Sequence, residues 1–175
     1  MGICLSCGKP TLPNYKYCMQ CKGENPEKKQ NISNPPAQNR QESHFTGFGS
    51  AYLKNGYFKD GYLRKEIFTD EAVKVAEKLA EKGMSKAALR RFYNKLRGIY
   101  ARYKDTRNFE EIKPALYSFY PNATDATMRN NNNVPYEFRH FININVALAE
   151  KDPEHLKGFV EHFQSVLAYF KESGN

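Results

Sequence analysis

No stretch of this 175-residue chain approaches the ~20 consecutive apolar residues of a membrane-spanning helix. Met1–Leu12 lacks a charged n-region followed by an apolar h-region, so no signal peptide is read there. Both absences predict a chain that stays in the cytoplasm, where thiols remain reduced. Cysteine is missing after Cys21, which removes any cysteine nucleophile from the rest of the chain. G-x-S-x-G, P-loop and H-E-x-x-H patterns are also missing. The four histidines, His44, His140, His155 and His162, are scattered. His155 and His162 share one helical face two turns apart, but no carboxylate stands at metal-ligand spacing from them, so surface or hydrogen-bonded roles are expected. Nothing singles out Asp60, Glu110 or Glu111 as a general base. A chain without these constellations is expected to bind or scaffold rather than to catalyse.

What is present points to an anionic partner. Net charge is +8 with a pI near 9.2, which favours nucleic acid first and a membrane surface second. Hydrophobic residues make up 40% of the chain, enough for one true core plus a small appendage. Aromatic content is 14% without a single tryptophan, so it rests on 12 tyrosines and 12 phenylalanines.

The appendage is read at the amino terminus. Cys4, Cys7, Cys18 and Cys21 form C-x2-C-x10-C-x2-C, two knuckles spaced to place four thiolates around a structural Zn2+. Two disulfides or uncoordinated thiols are the competing readings. Gly8 tolerates a positive φ directly after the first knuckle. Four cysteines close the coordination shell, whereas catalytic zinc keeps a position for water. A segment this short needs metal binding, on the order of 10–16 kcal/mol, to fold. Residues 1–22 are therefore expected to be a zinc-ribbon-like module, with Lys9, Lys16 and Lys22 as its bases and Tyr15 and Tyr17 either stacking or covering the metal. Residues 23–44, rich in Pro, Asn, Gln and charge, read as a flexible linker.

Residues 45–171 read as an all-α body, a compact bundle of about five helices with an aromatic lead-in arm. In the arm, Phe45, Phe48, Tyr52, Tyr57, Phe58, Tyr62 and Phe68 are punctuated by Asn55-Gly56 and Asp60-Gly61, which are turn signals. Gly47–Tyr52 echoes an RNA-recognition-motif strand, but the second aromatic strand and four-stranded sheet of that fold are not in the pattern. Thr69–Lys82 reads as a helix capped by Thr69 or Asp70, with Ala72, Val73, Ala76, Leu79 and Ala80 inward and Gly83 just past its end. Ser85 caps the next helix, which makes the two expected antiparallel neighbours. Phe109–Tyr120 is a third helix, with Pro114 in its first turn or at a kink, and Pro121–Asn133 reads as a loop. A fourth helix is expected from Pro135 to about Glu150, although Ile142–Val146 alternates as a strand would. Asp152-Pro153 opens a fifth, whose apolar positions keep helical spacing to Lys171.

The most telling shortage is of acid. Ser85–Lys104, SKAALRRFYNKLRGIYARYK, has seven bases and no carboxylate. At ~100° per residue, Leu89, Phe92, Tyr93, Leu96, Ile99, Tyr100 and Tyr103 fall in one sector of about 120°, the core-facing stripe. The bases form two rails beside it. Lys86, Arg90, Arg97 and Lys104 lie on one flank, and Arg91, Lys95 and Arg102 on the other. A solvated helix face usually mixes signs, because i,i+4 ion pairs add stability. Acids from elsewhere in the fold or an external polyanion would neutralise these bases; the competing reading is an ordinary solvated basic face.

Three stretches resemble a known family. Asn55–Phe68 (NGYFKDGYLRKEIF), Met84–Asn94 (MSKAALRRFYN) and the continuation Lys95–Arg102 are similar to the small helical subunit of the type III-A CRISPR effector complex, the Csm small-subunit family. The likeness runs from Asn55 to about Lys171 and is sharpest at Leu89–Asn94. It implies a bundle of about five helices without its own catalytic site. Copies would stack along a ribonucleoprotein filament beside the subunits that hold the guide, with basic surfaces on the guide–target duplex, chiefly on the target strand. The implied partners are crRNA, target RNA, other Csm-type subunits and further copies of this chain, in antiviral defence. Arg90 and Arg91 lie within the matching motif; Lys86, Lys95, Arg97, Arg102 and Lys104 join them through the rails. The likeness does not reach the amino-terminal ribbon and linker. It departs at Ala115–Asn133, so it carries no contact onto Arg129. The other readings are a free-standing zinc-ribbon nucleic-acid-binding regulator, whose binding would reside in residues 1–22, and a zinc-dependent hydrolase, which closure by four cysteines disfavours.

Overall fold

A computed structural model describes residues 2–4, 7, 9–11, 48–49, 51–129 and 134–171. The expected linker, Cys18 and Cys21 lie outside these residues. The chain divides into two units, Met1–Phe45 and Thr46–Asn175. In the first, β1 (Gly2–Ile3) pairs antiparallel with β2 (Pro10–Thr11), with Ile3 opposite Pro10. The Cys4 amide donates to the Lys9 carbonyl at 2.8 Å, so the first C-x2-C pair lies in the loop of a closed hairpin. Cys4 is buried there and Cys7 is exposed.

The second unit is an all-α bundle. Its helices are α1 (Asp70–Glu81), α2 (Lys86–Thr106), α3 (Phe109–Tyr117), α4 (Phe119–Met128), α5 (Tyr136–Ala149) and α6 (Pro153–Tyr169). The helix beyond the expected five comes from residues 109–133. The third expected helix ends at Tyr117, and most of the expected loop is α4. Pro121 is the third residue of α4, in the first turn, where a backbone N–H has no intrahelical acceptor and proline costs little. Proline as a loop signal was misleading for that reason. Pro114 sits inside α3, which closes one turn later at Ser118.

Local chemistry sets the other boundaries. Ser85 Oγ accepts from the Ala88 amide at 3.2 Å to start α2. Asn108 Oδ1 does the same for α3 from the Glu111 amide, at 3.3 Å. Asp152 Oδ1 does so for α6 from the His155 amide, at 2.8 Å. Thr69 precedes α1 but does not cap it; its hydroxyl donates back to the Lys65 carbonyl. Gly83, at φ +79°, closes α1, with its amide on the Ala80 carbonyl and the Met84 amide on the Leu79 carbonyl. The strand alternative for Ile142–Val146 gives way to α5, which buries Phe138, Phe141, Ile142, Asn145, Val146 and Ala149 at helical spacing.

The helix at the centre is α6, which packs against α1, α2 and α5. Thus α1 and α2 are not the neighbours their short connection suggested. Each lies on α6, and they share hardly any contact. An amphipathic stripe says which face is buried, not against which partner. In α1 the buried set is Ala72, Val75, Ala76 and Leu79, with Val73 half-buried.

The aromatic arm folds over this bundle. Tyr57 is completely buried. It fits because Gly158 of α6 has no side chain: a Cβ there would lie 2.7 Å from the Tyr57 ring. Beyond Tyr57, β3 (Phe58–Lys59) and β4 (Tyr62–Leu63) form a hairpin. Its two turn residues, Asp60 and Gly61, both have positive φ, as a tight turn of the primed kind requires. Arg64 then ties the arm to α1, donating from Nε to the Gly56 carbonyl and from Nη2 to Glu71, both at 2.9 Å.

Candidate nucleic-acid interface

The stripe of α2 is buried as its periodicity predicts. Leu89, Phe92, Tyr93, Leu96 and Ile99 are in the core, with Tyr100 and Tyr103 at its edge. Six of the seven bases are exposed, and Lys95 is half-buried. The charged groups of Arg91, Lys95, Arg97 and Lys104 stand 5.2–6.0 Å from aromatic ring centroids.

The two rails differ in what surrounds them. On the first, Arg90, Arg97 and Lys104 form no ion pair with any described residue. The Arg97 guanidinium stands 5.9 Å from the Tyr93 ring centroid, and the Lys104 ammonium stands 5.8 Å from that of Tyr100. From Arg90 to Lys104 this rail runs about 21 Å. Beside it, between α2 and α6, a cleft of about 520 Å³ is bordered by Tyr93, Arg97, Tyr100, Lys104 and Gln164.

On the second rail, one base of the three meets a carboxylate brought by a neighbouring helix. Arg102 is bound by Glu111 of α3, with Nη2–Oε1 at 2.5 Å. Arg91 and Lys95 border a smaller cleft, about 240 Å³, shared with Asn122, Asp125 and Arg129. There Asp125 already accepts from Arg129. Lys95 lies 5.2 Å from the Phe119 ring centroid, and burial lowers its pKa below the ordinary lysine value. An acid-free helix therefore does not mean seven unneutralised bases, because α3 supplies a partner that helical periodicity within α2 could not reveal. Gln164 of α6 and Arg129, just past the end of α4, complete the two clefts and carry no signal of their own in the sequence.

The family model for Csm2 Type III-A matches residues 63–175, which take in all six helices and both rails. The chain belongs to the Csm2 Type III-A family. As a Csm2 Type III-A protein it is a small subunit of a type III-A CRISPR complex and partners with the other Csm subunits of that assembly. The cysteine-bearing segment lies outside the matched residues. No curated protein and no solved structure matches the chain significantly.

Two further features bear on chemistry. The histidines have structural partners: His155 Nδ1 meets Asp152 Oδ2 at 2.8 Å, and His162 Nδ1 meets the Ile67 carbonyl at 2.6 Å. No described helix is long and apolar enough to cross a membrane.

Proposed function

We propose that this subunit binds RNA without catalysing any reaction, stabilising the guide–target pairing of a type III-A ribonucleoprotein through backbone contacts during antiviral defence in the cytoplasm. Its partners in this reading are crRNA, target RNA and copies of itself beside other Csm-type subunits. The observation that carries the reading is the first rail: Arg90, Arg97 and Lys104 stand exposed in a row and form no ion pair with any described residue. Cations in a line meet phosphates regardless of sequence, which suits an assembly whose specificity is delegated to base pairing. The second rail, edged by Glu111, Asp125 and Arg129, is the better fit for a protein neighbour.

Fluorescence anisotropy with RNAs of unrelated sequence tests this. Affinity is expected to be alike across sequences and to fall steeply with salt. Replacing Arg90, Arg97 and Lys104 by Glu should abolish binding and flatten the salt dependence, while the same change at Arg91 and Lys95 should leave most of it. Unchanged affinity in the first variant overturns the assignment.

The amino-terminal segment is proposed to hold one structural Zn2+ through Cys4, Cys7, Cys18 and Cys21. The hairpin that carries Cys4 and Cys7 supports this, since a turn closed by the Cys4–Lys9 backbone bond suits a metal knuckle. Metal analysis of the full chain should find one zinc per molecule. Cobalt substitution should give the visible absorption of a tetrahedral tetrathiolate, lost on replacing Cys4 and Cys7 by Ser.

A further inference from the structure

The α2–α6 cleft is more than an edge of the first rail, because its lining is wrong for phosphate alone. Asp105, near the end of α2, contributes to its lining and pairs with no cation among the described residues. A phosphate seated directly against that carboxylate would be repelled, although Arg97 and Lys104 at the mouth attract one. Tyr93 donates its hydroxyl to Gln164 Oε1 at 3.0 Å, which leaves the exposed carboxamide nitrogen with two hydrogens to give. Tyr100 offers a half-buried ring, and Arg97 and Lys104 are exposed long side chains at the mouth. The cleft thus combines an aromatic surface, a donor, an acceptor and two cations within about 520 Å³, a volume in the range of small-ligand sites.

We propose that this cleft takes an unpaired nucleobase, packed against Tyr100 with its edge toward Gln164 and Asp105, while Arg97 and Lys104 hold the flanking phosphates. The inference rests on the RNA-binding reading above and adds a base contact to it. A nucleobase edge carries both donors and acceptors, so it can satisfy a carboxylate and a carboxamide together. Stacking on an aromatic ring is sequence-tolerant, since every base has a π-face. The site therefore selects unpaired over paired RNA without selecting sequence. The second cleft offers nothing similar, being under half the volume and having its carboxylate already held by Arg129.

The test compares the full chain on three probes: a short single-stranded RNA, a ribose-phosphate chain of the same length without bases, and an RNA duplex. The base-bearing single strand should bind about tenfold tighter than the abasic chain. Both should show the same salt dependence, because their phosphates are the same. Tyr100→Leu should remove the difference while leaving abasic binding intact. Gln164→Ala, on the exposed surface, should reduce the difference and guards against misfolding of the first variant. Equal binding of base-bearing and abasic chains, or a difference untouched by both variants, overturns the base contact and leaves phosphate binding standing. Failure of all three probes to bind overturns the RNA-binding reading itself.

Discussion

His162 shows how much a single buried residue can decide. A carbonyl cannot donate, so the 2.6 Å contact with Ile67 places the proton on Nδ1 and makes Nε2 an acceptor for the Tyr52 hydroxyl at 2.8 Å. Tyr52 in turn accepts from Asn145 Nδ2 at 2.9 Å, and Asn145 Oδ1 accepts from Tyr57 at 2.7 Å. The chain of bonds is complete, and no buried side-chain nitrogen or oxygen among the described residues lacks a partner. Burial pushes the His162 pKa down to about 4. The unfolded chain binds this proton more readily, at a pKa of about 6.5. Stability from a neutral His162 is therefore complete above about pH 6.5 and is lost as the pH falls toward 4, at most on the order of 3 kcal/mol. Urea titrations across that range should show the decline, and His162→Gln should flatten it. Gly158 is a second such residue. With Tyr57 ring atoms 2.7 Å from where a Cβ would sit, Gly158→Ala is expected to cost about 1–3 kcal/mol in the same measurement. Histidines with ordinary hydrogen bonds could be expected from the sequence, but the Asn145 network could not. Its members stand 88 to 110 residues apart in sequence across the long-range bonds.

At the scale of the element, helix ends were the most readable feature because their chemistry is local. Ser85, Asn108 and Asp152 each satisfy an amide three residues on, and Gly83 supplies the left-handed residue that ends α1. Gly83→Ala meets no steric obstacle, so only backbone strain opposes it, and a loss of about 1–2 kcal/mol in thermal unfolding is expected. Residues 109–133 were read less well, since a proline interrupts a helix or opens one depending on which turn it occupies. The stripe and rails of α2 could be read from periodicity. Which of its bases meets an acid could not, because Glu111, the partner of Arg102, comes from α3.

At the scale of the molecule, the helical unit has its own core, with described members running from Leu53 to Phe170. Chelation of the zinc proposed above is expected to leave its main thermal transition in place, as calorimetry with and without a chelator would show; loss of that transition would make the two units interdependent. Of the seven bases of α2, Arg102 has an acid from a neighbouring helix, Glu111 of α3.

The amino-acid order alone determined the helical class, the caps at Ser85 and Asp152, the inward face of α2 and the absence of acid along it, because each depends on residues a few positions apart. Only the tertiary structure decided that α6 is the hub, that Gly158 makes room for Tyr57, and that Arg102 of α2 meets Glu111 of α3. Those outcomes depend on which faces meet, and that is settled by shape and burial between segments distant in the chain.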